Sequence, residues 1–117
     1  MMRAKHKYSA IPTEVGGIRF ASKKEAKRYQ ELLLMKAQGI VKEIELQPSY
    51  LLQEGFERGG KKHRPINYRA DFRVTYFDGT VEAEDVKGFR TKEFERTLKL
   101  LLYRYPDIRL RVGGELV

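Results

Sequence analysis

The sequence predicts an α/β sandwich built on one mixed sheet, because two helical patterns bracket a run of strand patterns and one further strand follows. Three observations carry that prediction. Ser22-Lys23-Lys24-Glu25 is a capping box, Asp78-Gly79 is a turn between two strand-like segments, and Thr91 caps a second helix. The expected order is a small N-terminal hairpin, a helix, three strands, a helix and a strand. A chain of 117 residues holds one such core, so a single domain is expected. Residues 1–21 form its basic arm and hairpin, and residues 22–117 form the core.

Each element has a local reason. The arm, residues 1–12, carries Arg3, Lys5, His6 and Lys7. Gly16-Gly17 between short β-prone segments is a hairpin signal. After the capping box, Ala26, Tyr29, Leu33, Leu34 and Ala37 recur at helical spacing, and Gly39 stops the helix. Residues 40–46 read as a strand, Gln47-Pro48 interrupts it, and residues 49–52 resume an extended segment. Residues 55–64 read as a polar loop with Gly59-Gly60 and the basic group Lys61-Lys62-His63-Arg64. A long strand is expected over 67–77 and a return strand over 80–87, ended by Gly88. The second helix buries Phe94, Leu98, Leu101, Leu102 and Tyr105, Pro106-Asp107 breaks it, and residues 108–112 alternate as the last strand.

Composition excludes several classes of function. There are no cysteines, so disulfides and thiolate metal sites are ruled out. His6 and His63 share no ligand-like spacing, and no zinc site is expected. No apolar run approaches the roughly 20 residues of a membrane span, and the basic N-terminus lacks a signal peptide's apolar stretch. The expected location is the cytoplasm of a host cell, away from membranes and with no small-molecule cofactor. The net charge of +8, from 24 basic and 16 acidic residues, points to a polyanionic partner.

Two facing strands each carry a carboxylate among apolar residues. Val81, Ala83, Asp85 and Lys87 share one face by period-two alternation, and Glu82, Glu84 and Val86 take the other. Asp71 lies seven residues before Asp78, and Asp85 six after Gly79, so folding about the turn brings the two aspartates near each other. Adjacent carboxylates repel unless a cation sits between them, and oxygen ligands without Cys or His favour Mg²⁺ or Mn²⁺. On the same face, Lys87 can neutralise charge developing on a phosphate or help activate the attacking water. The chemistry implied is phosphodiester hydrolysis. Alone, the Asp85-Val86-Lys87 motif is equally a strand-end ion pair, Asp71 an exposed strand residue, and Glu25 a capping residue.

Together, Tyr68-Arg69-Ala70-Asp71-Phe72 and Glu84-Asp85-Val86-Lys87-Gly88 resemble the PD-(D/E)xK signature of the restriction-endonuclease-like superfamily. With Ser22-Lys23-Lys24-Glu25-Ala26 and Leu46-Gln47-Pro48, they resemble a phage and prophage family of Holliday-junction-resolvase-like nucleases. The resemblance implies a restriction-endonuclease-like core of helix, three-strand antiparallel sheet, helix and strand, over roughly residues 22–112. It implies that Asp71, Asp85 and the Val86 carbonyl hold Mg²⁺ or Mn²⁺. By the same resemblance Lys87 is the catalytic lysine, Glu25 completes the catalytic and metal site, and Gln47 is a polar residue near the cleft. Ala70 stands where the signature has proline, and Glu84 adjoins the second acid. Alternation makes Asp85 the same-face partner of Lys87.

Candidate DNA-binding residues are Lys61, Lys62 and Arg64 in the polar loop, Arg90, and the stripe Lys92, Arg96 and Lys99 at i, i+4, i+7 on the second helix. A solvated face explains such a stripe equally well. No base-reading motif is present, which favours recognition of branched DNA over a long sequence. Symmetric cutting of a junction needs two active sites, hence an expected homodimer. A non-catalytic DNA-binding recombination accessory protein and a nuclease with another DNA substrate are the competing readings.

Overall fold

A computed structural model describes residues 12–87 and 90–117. The arm's Arg3, Lys5, His6 and Lys7, and the expected strand stop at Gly88, lie outside the described residues.

The chain opens with β1 (Thr13–Val15) and β2 (Ile18–Phe20), an antiparallel hairpin closing at Val15↔Ile18 across Gly16-Gly17. Helix α1 (Lys23–Ala37) follows, and the Ser22 hydroxyl accepts the Glu25 backbone N–H at 3.2 Å. At its end the Ile40 N–H reaches the Met35 carbonyl and the Gly39 N–H the Lys36 carbonyl, a Schellman closure. Next come β3 (Val41–Leu46), β4 (Ser49–Gln53), β5 (Phe56–Arg58), β6 (Lys61–His63), β7 (Ile66–Arg69), β8 (Phe72–Tyr76) and β9 (Val81–Asp85). Helix α2 (Lys92–Arg104), β10 (Leu110–Val112) and β11 (Glu115–Leu116) complete the described chain.

The expected restriction-endonuclease-like core, with its three-strand antiparallel sheet, is not what forms. The described residues are mostly β, with eleven strands in four sheets and two helices. The main sheet has five strands in the order β11-β10-β9-β8-β3. It is mixed: β3, β8 and β9 run antiparallel, β10 runs parallel to β9, and β11 is antiparallel to β10. The parallel pair requires a crossover, which α2 supplies. β4 pairs only with β7, and β5 only with β6.

Three local causes separate this architecture from the expected one. First, the single strand expected over 67–77 is broken at Ala70-Asp71. Opposite the break, Gln47 takes φ +50 and Pro48 lacks an N–H, so β3 cannot run on into β4. Second, Gly59 and Gly60 both adopt positive φ (60° and 78°), which turns the expected loop over 55–64 into the β5–β6 hairpin. Third, the turn between β8 and β9 spans three residues rather than two, because the Tyr76 N–H bonds the Thr80 carbonyl.

The break changes which face each side chain takes. Unbroken alternation would put Tyr68, Ala70, Phe72 and Val74 on one face. Instead Tyr68 and Ala70 join Leu52, Leu98, Leu101 and Leu110 beneath α2, while Phe72 and Val74 join Leu32, Val41 and Phe20 beneath α1. Asp71 sits at the switch between the two cores.

The buried stripe of α1 is also rotated from its expected phase. Glu25, Ala26 and Leu32 are buried and Tyr29 and Met35 pack beside them, whereas Leu33, Leu34 and Ala37 face solvent. Leu32-Leu33-Leu34 is a continuous apolar run that defines no phase, so docking on β3 and the β1–β2 hairpin decides it. No helix among the described residues is long and apolar enough to cross a membrane.

Candidate active site

The β8–β9 register pairs Phe72 with Glu84, so Asp71 and Asp85 stand one step further along the same ladder. There the ladder changes character. The Asp71 N–H donates to the Glu84 carbonyl at 2.8 Å, and the Val86 N–H donates to Asp71 Oδ2 at 2.7 Å. The carboxylate thus replaces a backbone rung and is drawn inward. Burial pushes the Asp71 carboxyl up to about 7. The Val86 hydrogen bond and the charge of Lys87 oppose that rise, while Glu25 and Asp85 add to it.

Glu25 reaches the same place from the first turn of α1. It is 8% exposed. Burial raises its carboxyl above the ordinary range, Lys87 and the Ala21 backbone lower it, and Asp85 raises it again. Its backbone N–H is capped by Ser22 while its carboxyl feels Asp85 and Lys87, so capping and membership of the cluster coexist. Lys87 is half-buried, and its charge acts on both Glu25 and Asp71.

Asp85 ends β9 and accepts a hydrogen bond on Oδ2 from the Tyr68 hydroxyl at 2.8 Å. Burial and the Asp85 charge raise the Tyr68 phenol well above its usual range, so it stays a donor. Sequence reasoning missed Tyr68, because alternation marks it only as an apolar core position. Tyr68→Phe is expected to lower stability by about 1.5–3 kcal/mol, the value of a hydrogen bond to a charged acceptor, measured by urea unfolding. A loss under about 0.5 kcal/mol would show that water replaces the hydroxyl at Asp85.

Glu84, next to Asp85 in the chain, is committed elsewhere. Arg28 Nε and Nη2 hold its two oxygens at 2.8 Å each, and its side chain is 5% exposed. Glu84 in turn holds the Arg28 guanidinium firmly protonated.

Two cavities flank the cluster. One of about 240 Å³ is lined by Glu25, Gln47, Asp71 and Arg19, with Ile18 and Phe20 of the first hairpin beside them. Gln47 therefore borders the cleft, and its N–H also donates to the Asp71 carbonyl at 2.9 Å. It is the non-glycine residue with positive φ among the described residues. Such strain persists where surrounding structure over-determines it. The other cavity, about 490 Å³, is lined by Asp85, Val86, Lys24, Lys27, Arg28 and Arg111 among others. Lys24 and Lys27 belong to the capping-box helix and were not singled out by sequence, since a charge near a helix start reads as solvated.

The structure thus gathers Glu25, Gln47, Asp71, Asp85, Val86 and Lys87. The expected DNA contacts lie elsewhere on the surface. Lys61 and Lys62 are exposed on β6 and Arg64 just after it, and Lys92, Arg96 and Lys99 are exposed along α2. Arg90 is ion-paired with Glu95 and lies over the Phe94 ring at 6.0 Å, so its charge is partly spent within the chain.

Among the described residues, no group of three or more His, Cys, Asp or Glu side chains forms a ready metal cage. The donor chemistry nevertheless fits a hard cation: the Asp85 charge raises Glu25 and Asp71, and Glu25 also raises Asp71, a repulsion that positive charge between them would relieve. Comparison with curated proteins and with solved structures gives no match. The family model described as a protein of unknown function, DUF1064, matches residues 5–113, and the chain belongs to that family.

Proposed function

We propose that this chain is a Mg²⁺- or Mn²⁺-dependent endodeoxyribonuclease of the PD-(D/E)xK type, a phosphodiester hydrolase acting in the cytoplasm on branched DNA, as a phage- or prophage-encoded Holliday-junction resolvase would. One observation carries this reading: Glu25 of α1, Asp71 at the break between β7 and β8, Asp85 at the end of β9 and Lys87 just beyond it meet in a half-buried cluster. A fold gains nothing from crowding three carboxylates, so the crowding favours a bound cation and a catalytic use.

Asp71, Asp85, the Val86 carbonyl and Glu25 would hold the metal, which supplies Lewis acidity toward the phosphate and the attacking water. The chain's residues do the rest. Val86 N–H fixes the Asp71 carboxylate, and Tyr68 fixes that of Asp85. Lys87 offers its ammonium to the phosphate oxygens as their charge grows. The oxygen of water bonds to phosphorus and gives up one proton to solvent, the bond to the leaving sugar oxygen breaks, and that oxygen takes a proton from solvent in return. The surplus of basic residues draws the polyanion in. Two symmetric cuts in a four-way junction need two such sites, so the acting unit is a homodimer.

The test is cleavage of a synthetic four-way junction beside its linear duplex, in Mg²⁺, Mn²⁺ or EDTA, with wild type and Asp85→Ala. Metal-dependent cutting of the junction alone, lost in Asp85→Ala, is the expected result. Cutting of both substrates would keep the site and discard the branched substrate. No cutting with intact, salt-sensitive binding would make the chain a DNA-binding accessory protein.

A further inference from the structure

We propose that the β5–β6 hairpin is a groove-entering arm, placing its cations in the major groove of a B-form DNA duplex. The proposal rests on the DNA-acting function above and adds the element that grips the duplex.

The hairpin stands away from the rest of the molecule. Its strands pair only with each other, and no other element of the described residues packs substantially against it. Every residue of the two strands is exposed except the half-buried His63. A two-stranded hairpin is marginal by itself, and ordering it costs conformational entropy. A projecting ribbon with no core of its own therefore calls for a partner.

The charge states the partner's chemistry. Arg58, Lys61 and Lys62 lie on the strands and Arg64 just beyond, against one acid, Glu57, in register with Lys62. None of these four cations forms an ion pair among the described residues. By contrast Arg28, Arg73, Arg90, Arg104, Arg109 and Arg111 are all committed to carboxylates. Four uncommitted cations within seven residues, against one acid, make the arm a compact basic surface that fits phosphates.

The arm is anchored. Two residues separate β4 from β5 and two separate β6 from β7, so the hairpin prolongs the β4–β7 ribbon. The base of that ribbon is held by buried Leu52 and Tyr68 and by the Tyr105 hydroxyl on the Leu51 carbonyl at 2.9 Å. Where the two ribbons join, a Cβ at Gly55 would meet the His63 carbonyl oxygen at 3.0 Å and Pro65 at 3.1 Å, so any side chain there would press the two strands apart by a few tenths of an ångström. Just beyond it, the Phe56 and His63 rings stack at 4.5 Å. A B-form major groove, about 12 Å wide, admits a two-stranded ribbon, whereas the deep, narrow major groove of A-form RNA does not.

The experiment measures binding by fluorescence anisotropy in EDTA, with linear DNA and RNA duplexes of one sequence, for wild type and Arg58→Ala/Lys61→Ala/Lys62→Ala. The triple variant is expected to lose at least about tenfold in DNA affinity, with a salt slope shallower by roughly 2–3, as for three lost phosphate contacts. Its RNA-duplex affinity is expected to change less than about twofold, and its melting temperature to match wild type because the hairpin packs on little else. If the triple variant misfolds, Lys61→Gln/Lys62→Gln is read in the same way, with a slope change of roughly 2. Unchanged DNA affinity in a variant, with measurable wild-type binding, overturns the arm alone. Equal losses on DNA and RNA overturn groove entry. Wild type that binds no DNA overturns the underlying function as well.

Discussion

Asp71→Asn is expected to abolish cleavage and, in metal-free protein at pH 8, to raise the melting temperature. The carboxyl titrates near its ordinary 3.8 in the unfolded chain and at about 7 in the folded one. The folded state therefore holds the proton more tightly. Below the unfolded value both states are protonated and Asp71 imposes no penalty. As pH rises from there toward the folded value, folding increasingly requires proton uptake or an ionised buried carboxylate, and above about 7 the whole penalty is present. The shift corresponds to about 2–4 kcal/mol at pH 8 after allowance for partial solvation. Asparagine removes that charge and keeps an oxygen for the Val86 N–H. A rise of roughly 10 °C is expected at pH 8 in EDTA, fading to little at pH 4. Thermal melts at the two pH values check this. Identical melting of variant and wild type at pH 8 would mean that Asp71 is not penalised by burial. Retained cleavage would remove it from the chemistry.

Arg28→Ala is expected to destabilise the fold by about 3–5 kcal/mol, enough to leave much of the protein unfolded. The reason is Glu84, which would remain buried without its bidentate partner. The pair joins α1 to β9, and the same helix carries Glu25 to the cluster, so the loss reaches the candidate site. Arg28→Met with Glu84→Gln is expected to recover most of the stability, because it removes the stranded charge as well as the cation. Urea unfolding of the single and double variants gives the comparison. A single-variant loss below about 1 kcal/mol would show that water reaches Glu84 once the guanidinium is gone.

The contrast between these two residues shows where sequence reasoning reaches and where it stops. Asp71 and Asp85 could be brought together by counting outward from Asp78-Gly79. That count survives a turn one residue longer, because the register places Asp71 and Asp85 one step past Phe72↔Glu84. Arg28 gives no such signal. It is 56 residues from Glu84 in the chain, and on a helix face it reads as a solvated cation. Tyr68, 17 residues from Asp85, likewise reads as core. The expected three-strand core failed for a related reason. Alternation across 67–77 is continuous in the sequence, and the backbone of Gln47-Pro48, between β3 and β4, interrupts it.

What the sequence determined by itself is local. The Ser22 and Thr91 caps, the Gly16-Gly17 turn, the position but not the length of the turn at Asp78-Gly79, and the buried face of α2 each depend on residues close in the chain, where steric and hydrogen-bonding preferences act directly. The tertiary structure alone decided which leucines of α1 are buried, that Tyr68 and Ala70 face α2 while Phe72 and Val74 face α1, that Glu84 belongs to Arg28 and Asp85 to Tyr68, and that residues 56–63 form a ribbon. The physical reason is that burial and ion pairing depend on which distant surfaces meet, and a continuous apolar run or an isolated charge carries no record of its partner.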